Sequence, residues 1–122
     1  MAMSMIRTTI AALLLTAAPS LAGAQAAEPQ LNLDQRMLVR CSAAFAIIAA
    51  EQKDGDAEAL RYPDLSQRGR EFFVRASAQV MDTAGLDRQQ IAAALSAEAR
   101  QLNESGTVHD VMPVCIGLLP AE

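Results

Sequence analysis

The sequence predicts an all-α protein, a small bundle of about four short helices stapled by one disulfide and preceded by a cleaved signal peptide. Ala, Leu, Gln, Arg and Glu dominate the chain, and all five are strong helix formers. Alternating β-branched and aromatic runs, which indicate strands, are missing. Apolar residues instead recur at helical spacing in three separate segments.

Residues 1–24 have the pattern of a secretory signal peptide. Arg7 supplies the positive start, residues 10–18 are a short apolar run, and Ala22-Gly23-Ala24 is a small-x-small cleavage site. The run is shorter than the roughly 20 residues that a membrane span needs. We therefore expect cleavage after Ala24, or after Ala26 at a competing site, and a periplasmic protein with no membrane anchor in its mature form. An uncleaved apolar helix is the alternative.

The mature chain is short enough for one domain, which we place at residues 33–122, after a flexible polar leader at residues 25–32. The whole sequence carries 14 acidic and 10 basic residues, a net charge of −4. An acidic chain is a poor match for nucleic acid and for anionic membrane surfaces. We therefore expect neither as a partner.

The first helix is predicted from Leu33 to Gln52, with Asn32 or Asp34 as its cap. Its apolar stripe has steps of three, four and three residues, which is one face of a helix. The stripe consists of Leu38, Cys41, Phe45 and Ile48. A further helical turn is predicted within residues 57–61.

The second helix is predicted from Leu65 to Ala84, with Asp64 as N-cap and Gln67 as its capping-box partner. Gly69 lies on its apolar face, which indicates either a close approach to another helix or a helix that starts late, at Gly69. Phe72 is expected to lie beside that face and to broaden it. The predicted face is Phe73, Ala76, Val80 and Ala84.

The third helix is predicted from Arg88 to Asn103, with a capping box formed by Asp87 and Gln90. Its stripe is Ile91, Leu95, Ala99 and Leu102. The last segment is apolar but contains Pro113, which lacks a backbone donor and kinks or breaks helices. We therefore expect a turn or short helix before Pro113, then a second short helix from Pro113 to Leu119.

Cys41 and Cys115 are the only two cysteines of the chain. Cys41 lies within the first apolar stripe, and no C-x-x-C motif indicates a redox-active pair. In an exported protein they predict a structural disulfide. It would close a loop of about 75 residues, for which the chain-entropy model gives about 4 kcal/mol.

No metal, cofactor or catalytic site is predicted. His109 is the only histidine, and one histidine with two oxidised cysteines does not make a zinc site, so we expect a surface or capping residue. The acidic turn of Glu51, Asp54, Asp56 and Glu58 lacks the twelve-residue EF-hand frame. It is interpreted as a solvated loop. Phosphate-binding, hydrolase and metalloprotease motifs are all missing, so the sequence predicts no enzyme.

Three arginines form a possible partner-binding face on the second helix. Arg68, Arg70 and Arg75 lie close together near its start and could meet an anionic patch. The alternative is a solvent-exposed face opposite Phe73 and Val80.

Three segments carry a resemblance: residues 40–47 (RCSAAFAI), residues 69–75 (GREFFVR) and residues 112–115 (MPVC). They resemble small exported two-cysteine proteins of alphaproteobacteria, a group with no assigned activity. The overall plan is also similar to that of the HdeA-type acid-stress chaperones, a likeness of architecture alone.

These observations favour a non-enzymatic periplasmic module that binds a protein or peptide partner. One alternative is an acid-activated holdase, in which protonation of the carboxylates loosens the fold and exposes apolar surface. Another is an inhibitor or immunity protein directed against a periplasmic enzyme.

Overall fold

The structure is a computed structural model that describes residues 29–121. Within that range the chain is helical and contains no strand, which confirms the predicted fold class. The helices are α1 (Leu33–Lys53), α2 (Leu65–Ala84), α3 (Arg88–Ser105) and α4 (Val108–Ile116), with a short 3-10 turn at Ala59–Arg61. The predicted signal peptide and residues 25–28 of the predicted leader lie outside the described residues.

The bundle is organised around α1, which contacts α2, α3 and α4. Two separate groups of buried side chains hold it together. The main cluster surrounds the disulfide, and five of its large apolar side chains are at most 2% exposed: Phe45, Ile48, Leu65, Leu102 and Met112. The distal cluster lies at the opposite end of the bundle and consists of Val39, Val80, Leu86 and Ile91. None of the described helices has the length and apolar character needed to cross a membrane.

The predicted capping box of α3 is confirmed, and α1 begins with a capping box that was not predicted, at Asn32, one of its two predicted caps. The Asn32 side chain accepts the backbone N–H of Gln35, and the Gln35 side chain accepts the backbone N–H of Asn32, both at 2.9 Å. Asp87 and Gln90 make the same exchange at the start of α3. Each box satisfies two of the four backbone N–H groups that a helix start leaves without a partner.

The predicted N-cap of α2 is confirmed, but its predicted capping-box partner is not. Asp64 is the N-cap, and its carboxylate accepts the backbone N–H of Ser66 at 2.9 Å. The predicted capping-box partner, Gln67, instead donates along the helix to Glu71 at 3.4 Å. The Gln67 side chain can bond either to the N-cap residue, Asp64, or to Glu71, four residues further along the helix. Residues four apart are neighbours on a helix surface, so the two contacts compete.

The predicted buried face of α2 is confirmed at Ala76 and Val80, but the wrong phenylalanine was assigned to it. Phe72 is the ring that enters the main cluster, where it meets Phe45 edge to face with ring centres 5.0 Å apart. Phe73 is only partly buried. Steps of four, three, four and four residues describe the true stripe, which consists of Leu65, Gly69, Phe72, Ala76 and Val80.

The predicted break at Pro113 was wrong, because α4 continues through it from Val108 to Ile116. The proline removes one backbone hydrogen bond, yet Met112 and Cys115 on either side of it are fully buried. In a helix of nine residues, tertiary anchoring of this kind outweighs the local preference.

The predicted disulfide between Cys41 and Cys115 is confirmed. It joins the middle of α1 to α4 across 74 residues of chain, with Cα atoms 5.2 Å apart. Both cysteines are fully buried in the main cluster. The bond therefore holds the last helix against the first at the centre of the larger core.

Candidate binding groove and the polar cluster beside it

An open groove of about 860 Å³ lies between the C-terminal half of α1 and the N-terminal half of α2. Its volume falls within the range of ligand-binding clefts in proteins. Most of its lining is apolar, and the side chains that contribute are Phe45, Ala46, Ala49, Leu60, Leu65 and Phe73. The exposed Leu60 and the partly buried Phe73 are thus parts of one surface rather than isolated apolar residues.

The groove exists because both helices have small residues where they meet. A Cβ atom at Gly69 would lie 3.1 Å from Cβ of Leu65 and 3.4 Å from Cβ of Phe45, so the two helices approach closely at this glycine. Since α2 begins at Leu65, Gly69 lies inside the helix, and close approach accounts for it. On α1, Ala46 and Ala50 share a helical face and leave the space above that contact unfilled.

Two cations lie along this groove, Lys53 at the end of α1 and Arg70 on α2. Both are exposed, and neither has an ion-pair partner within residues 29–121. Asp64 also lines the groove, but its carboxylate is engaged in capping α2. The backbone N–H of Ser66 and then its hydroxyl hold the pKa of Asp64 below its usual range. The groove therefore offers an apolar lining with two cations that form no ion pair within residues 29–121, together with the carboxylate of Asp64.

Gln52 closes one end of the groove by tying the end of α1 to the start of α2. Its amide nitrogen donates to the carbonyls of Ala59 and Pro63 at 3.0 and 2.9 Å. Its amide oxygen accepts the backbone N–H of Leu65 at 3.0 Å. One side chain thus satisfies three backbone groups of the loop and fixes the position of the groove wall.

A polar cluster lies beside the groove, where α4 meets the loop that follows α1. The Tyr62 hydroxyl is 3.1 Å from Nδ1 of His109, and the two rings stack with centres 5.7 Å apart. Carboxylate oxygens of Glu51 and Glu58 lie 3.4 and 3.7 Å from the two nitrogens of His109. Burial of the tyrosine, and secondarily the charge of Glu58, raise the pKa of Tyr62 above its usual value.

The three arginines that were predicted to form one face lie on two sides of α2. Arg68 and Arg75 line a smaller cleft of about 380 Å³ beside Pro120, and a guanidinium nitrogen of Arg68 donates to the Pro120 carbonyl at 2.8 Å. Arg70 lines the larger groove. The reason is helical geometry: residues seven apart share a face, whereas residues two apart point about 200° away from each other.

Sequence reasoning missed most of the residues that line the groove. Lys53 was not predicted to belong to a binding site, and Phe73 was assigned to the buried face of the second helix. A signal was nevertheless present, because Ala46, Ala49, Ala50 and Lys53 are spaced as one helical face on the side of α1 away from Cys41. A stripe of small residues that ends in a cation predicts a close helix contact as readily as a groove. Only the packing of α2 shows which of these two structures forms.

Comparison of the chain with protein-family models, with curated proteins and with solved structures found no match in any of the three. The fold and the groove are therefore interpreted from their own geometry.

Proposed function

We propose that this protein is an exported, non-enzymatic binding module, and that the groove between α1 and α2 receives a segment of a partner protein. The segment would present apolar side chains to the groove and carry acidic residues beside them. The observation on which the proposal depends is the apolar groove bordered by Lys53 and Arg70 in a chain whose net charge is −4.

Charge complementarity supports an acidic partner. A protein with more acidic than basic residues repels acidic segments in general, so a local pair of unpaired cations favours their approach at one place only. Arg70 offers five N–H donors that suit a carboxylate, and Lys53 offers a mobile point charge. Both lie where an acidic residue that flanks a bound apolar side chain would come to rest.

The shape of the groove supports a peptide segment over a small molecule. Small ligands are usually enclosed, with most of their surface buried, whereas this groove is open along its length. Residues 46–53 of α1 span roughly 10 Å, which corresponds to about two turns of a docked helix. Amphipathic helices bind such grooves with anchors at steps of three and four residues.

The test is a selection of peptides from a random library on the oxidised protein, followed by affinity measurements on purified variants. The expected peptides combine apolar anchors with Glu or Asp beside them. Ala46→Glu, which places a carboxylate in the groove, and Arg70→Glu, which reverses a charge beside it, should each weaken binding by about tenfold or more.

Two matched controls keep the charge change but move it away from the groove. Ala92→Glu and Arg88→Glu alter exposed positions on α3, and both should leave peptide affinity within about twofold of the parent protein. The proposal fails if no peptide is selected, if the selected peptides lack acidic residues, or if the control variants lose as much affinity as the groove variants. If a small anionic amphiphile binds more tightly than the selected peptides, the groove takes a different class of ligand and the proposal of a peptide partner fails.

Export to the periplasm is the second part of the proposal. It is supported by the signal-like pattern of residues 1–24 and by the disulfide, which is typical of oxidising compartments. The intact mass of protein recovered from the periplasm should correspond to a chain that starts at Gln25 or Ala27. Alkylation should occur only after reduction. A full-length chain, or two thiols that react before reduction, would contradict this part.

A further inference from the structure

Two segments that are distant in the sequence, residues 51–56 and the start of α4, bring potential metal ligands together in the polar cluster. Glu51 comes from the last turns of α1, Asp56 from the loop that follows, and His109 from the first turn of α4. One ligand atom from each residue lies within 4.8 Å of the others. The arrangement depends on the packing of α4 against α1, which the disulfide holds in place.

The spacing of two of these atoms is that of neighbouring zinc ligands. Nε2 of His109 and Oε2 of Glu51 are 3.4 Å apart. In a tetrahedral site with bonds of about 2.0–2.1 Å, adjacent ligand atoms are separated by about 3.3–3.4 Å. A zinc ion therefore fits between these two atoms with little movement of either side chain.

The Glu51 oxygen nearest His109 has no hydrogen-bond donor within residues 29–121. Oε2 of Glu51 is a buried atom and accepts no hydrogen bond within the described part of the chain, although Nε2 of His109 is close by. A buried carboxylate oxygen without a hydrogen bond is costly, and such groups in folded proteins commonly mark ion sites or catalytic groups. A cation bound to this oxygen would remove that cost.

The surroundings orient the ligands in the way that metal sites require. Nδ1 of His109 faces the Tyr62 hydroxyl at 3.1 Å and Glu58 at 3.7 Å, which directs Nε2 towards Glu51. The carboxylate of Asp56 accepts the backbone N–H of Ala59 at 2.9 Å, so its position is also restrained. Metal-binding histidines generally use their second nitrogen in such a hydrogen bond.

We infer that Glu51, Asp56 and His109 form a binding site for Zn²⁺, with the remaining coordination position open to solvent or to a partner's side chain. An imidazole in the set favours zinc over calcium and magnesium, which prefer oxygen ligands alone. Two carboxylates balance the charge of the ion. The site is separate from the groove, so the inference does not depend on the proposed function.

The experiment is a titration of the untagged, oxidised protein with ZnCl₂ by isothermal calorimetry, with parallel titrations of CaCl₂ and MgCl₂. We expect one zinc ion per chain and much weaker binding of the other two. His109→Gln, Glu51→Gln and Asp56→Asn should each lower zinc affinity by at least about tenfold. Asp56 is exposed in a loop, so its variant tests the site without disturbing the core.

Asp54→Asn is the matched control, since it removes a carboxylate from the same loop but outside the site. Its zinc affinity should stay within about twofold of the parent protein. Fluorescence gives an independent measurement: the chain has one tyrosine and no tryptophan, so Tyr62, which contacts His109, reports zinc directly. Absence of zinc binding, tighter binding of calcium, or equal losses in Asp54→Asn and His109→Gln would each overturn the inference.

Discussion

The two ends of this bundle are stabilised in different ways. The distal cluster joins Val39 to side chains that flank the short turn between α2 and α3, and all four of its buried members are aliphatic. The main cluster contains two aromatic rings, four helices and a disulfide that connects residues 74 positions apart. The turn between α2 and α3 at the distal end thus follows from local chain geometry, whereas the main cluster depends on long-range contacts throughout.

The two ends also differ in whether they carry a proposed binding site. The groove and the polar cluster both lie at the end that contains the main cluster, between elements that only long-range packing brings together. At the distal end, Gly85 terminates α2 in a left-handed conformation, and the Asp87 capping box starts α3 two residues later. These local signals fix the conformation of the turn between α2 and α3. A turn fixed in this way has little freedom to form a binding site.

The largest expected effect comes from removing the disulfide. The double variant Cys41→Ala and Cys115→Ala should lose up to about 4 kcal/mol of unfolding free energy, because the unfolded chain regains the entropy of the open loop. Urea unfolding measures the total loss of unfolding free energy. Hydrogen exchange should show α4 losing protection first while Ile91 stays protected. Simultaneous loss at both ends would mean that the two clusters form one cooperative unit.

The next effect compares one fully buried side chain from each cluster. Ile48→Ala in the main cluster should cost about 3 kcal/mol. Val80→Ala in the distal cluster removes less apolar volume and should cost roughly 2 kcal/mol. Val74→Ala is the control on α2, because Val74 is 62% exposed, and it should change stability by less than about 0.5 kcal/mol. A larger loss for Val80 than for Ile48 would reverse the ranking of the two clusters.

The smallest expected effect is a pH dependence at the cap of α2. Because the pKa of Asp64 is lowered in the folded protein, its stabilising contribution is complete above the unfolded value of 3.8 and is lost as pH falls through the folded value. Asn caps helices about as well as Asp but does not titrate. The stability difference between the parent protein and Asp64→Asn should therefore be constant near neutral pH and should shift against the parent below about pH 4.

Unfolding curves of these two proteins across the acidic range provide the measurement. A difference that stays constant down to pH values well below 3.8 would show that Asp64 does not titrate as described. The same series tests the acid-activated holdase, which requires the bundle to open and expose apolar surface at low pH. A bundle that remains closed there would exclude that alternative.

Much of the fold could be predicted from the sequence because its signals are local. The α2 boundaries were predicted without error, and α1 and α3 each run only one or two residues longer than expected. Asn32, Asp64 and Asp87 are side chains that cap helices wherever they precede an apolar periodic segment. The cysteine pairing was equally determined, since two cysteines allow only one intramolecular bond.

Tertiary contacts decided what local signals could not. Phe72 and Phe73 are adjacent residues of the same type, and only the position of Phe45 on α1 selects which ring is buried. Local preference favours a break at Pro113, but the burial of Met112 and Cys115 carries the helix through it.

The sequence by itself therefore determined α1, α2 and α3, their N-cap residues and the disulfide, because each depends on residues that are neighbours in the chain or on the pairing of the only two cysteines. The groove and the Glu51, Asp56 and His109 cluster were decided only by the tertiary structure. Both arise where α1 meets α2 or α4, and no periodicity or motif relates the residues of one element to those of the other. Their relation is set by the packing of separate helices, which a local pattern does not encode.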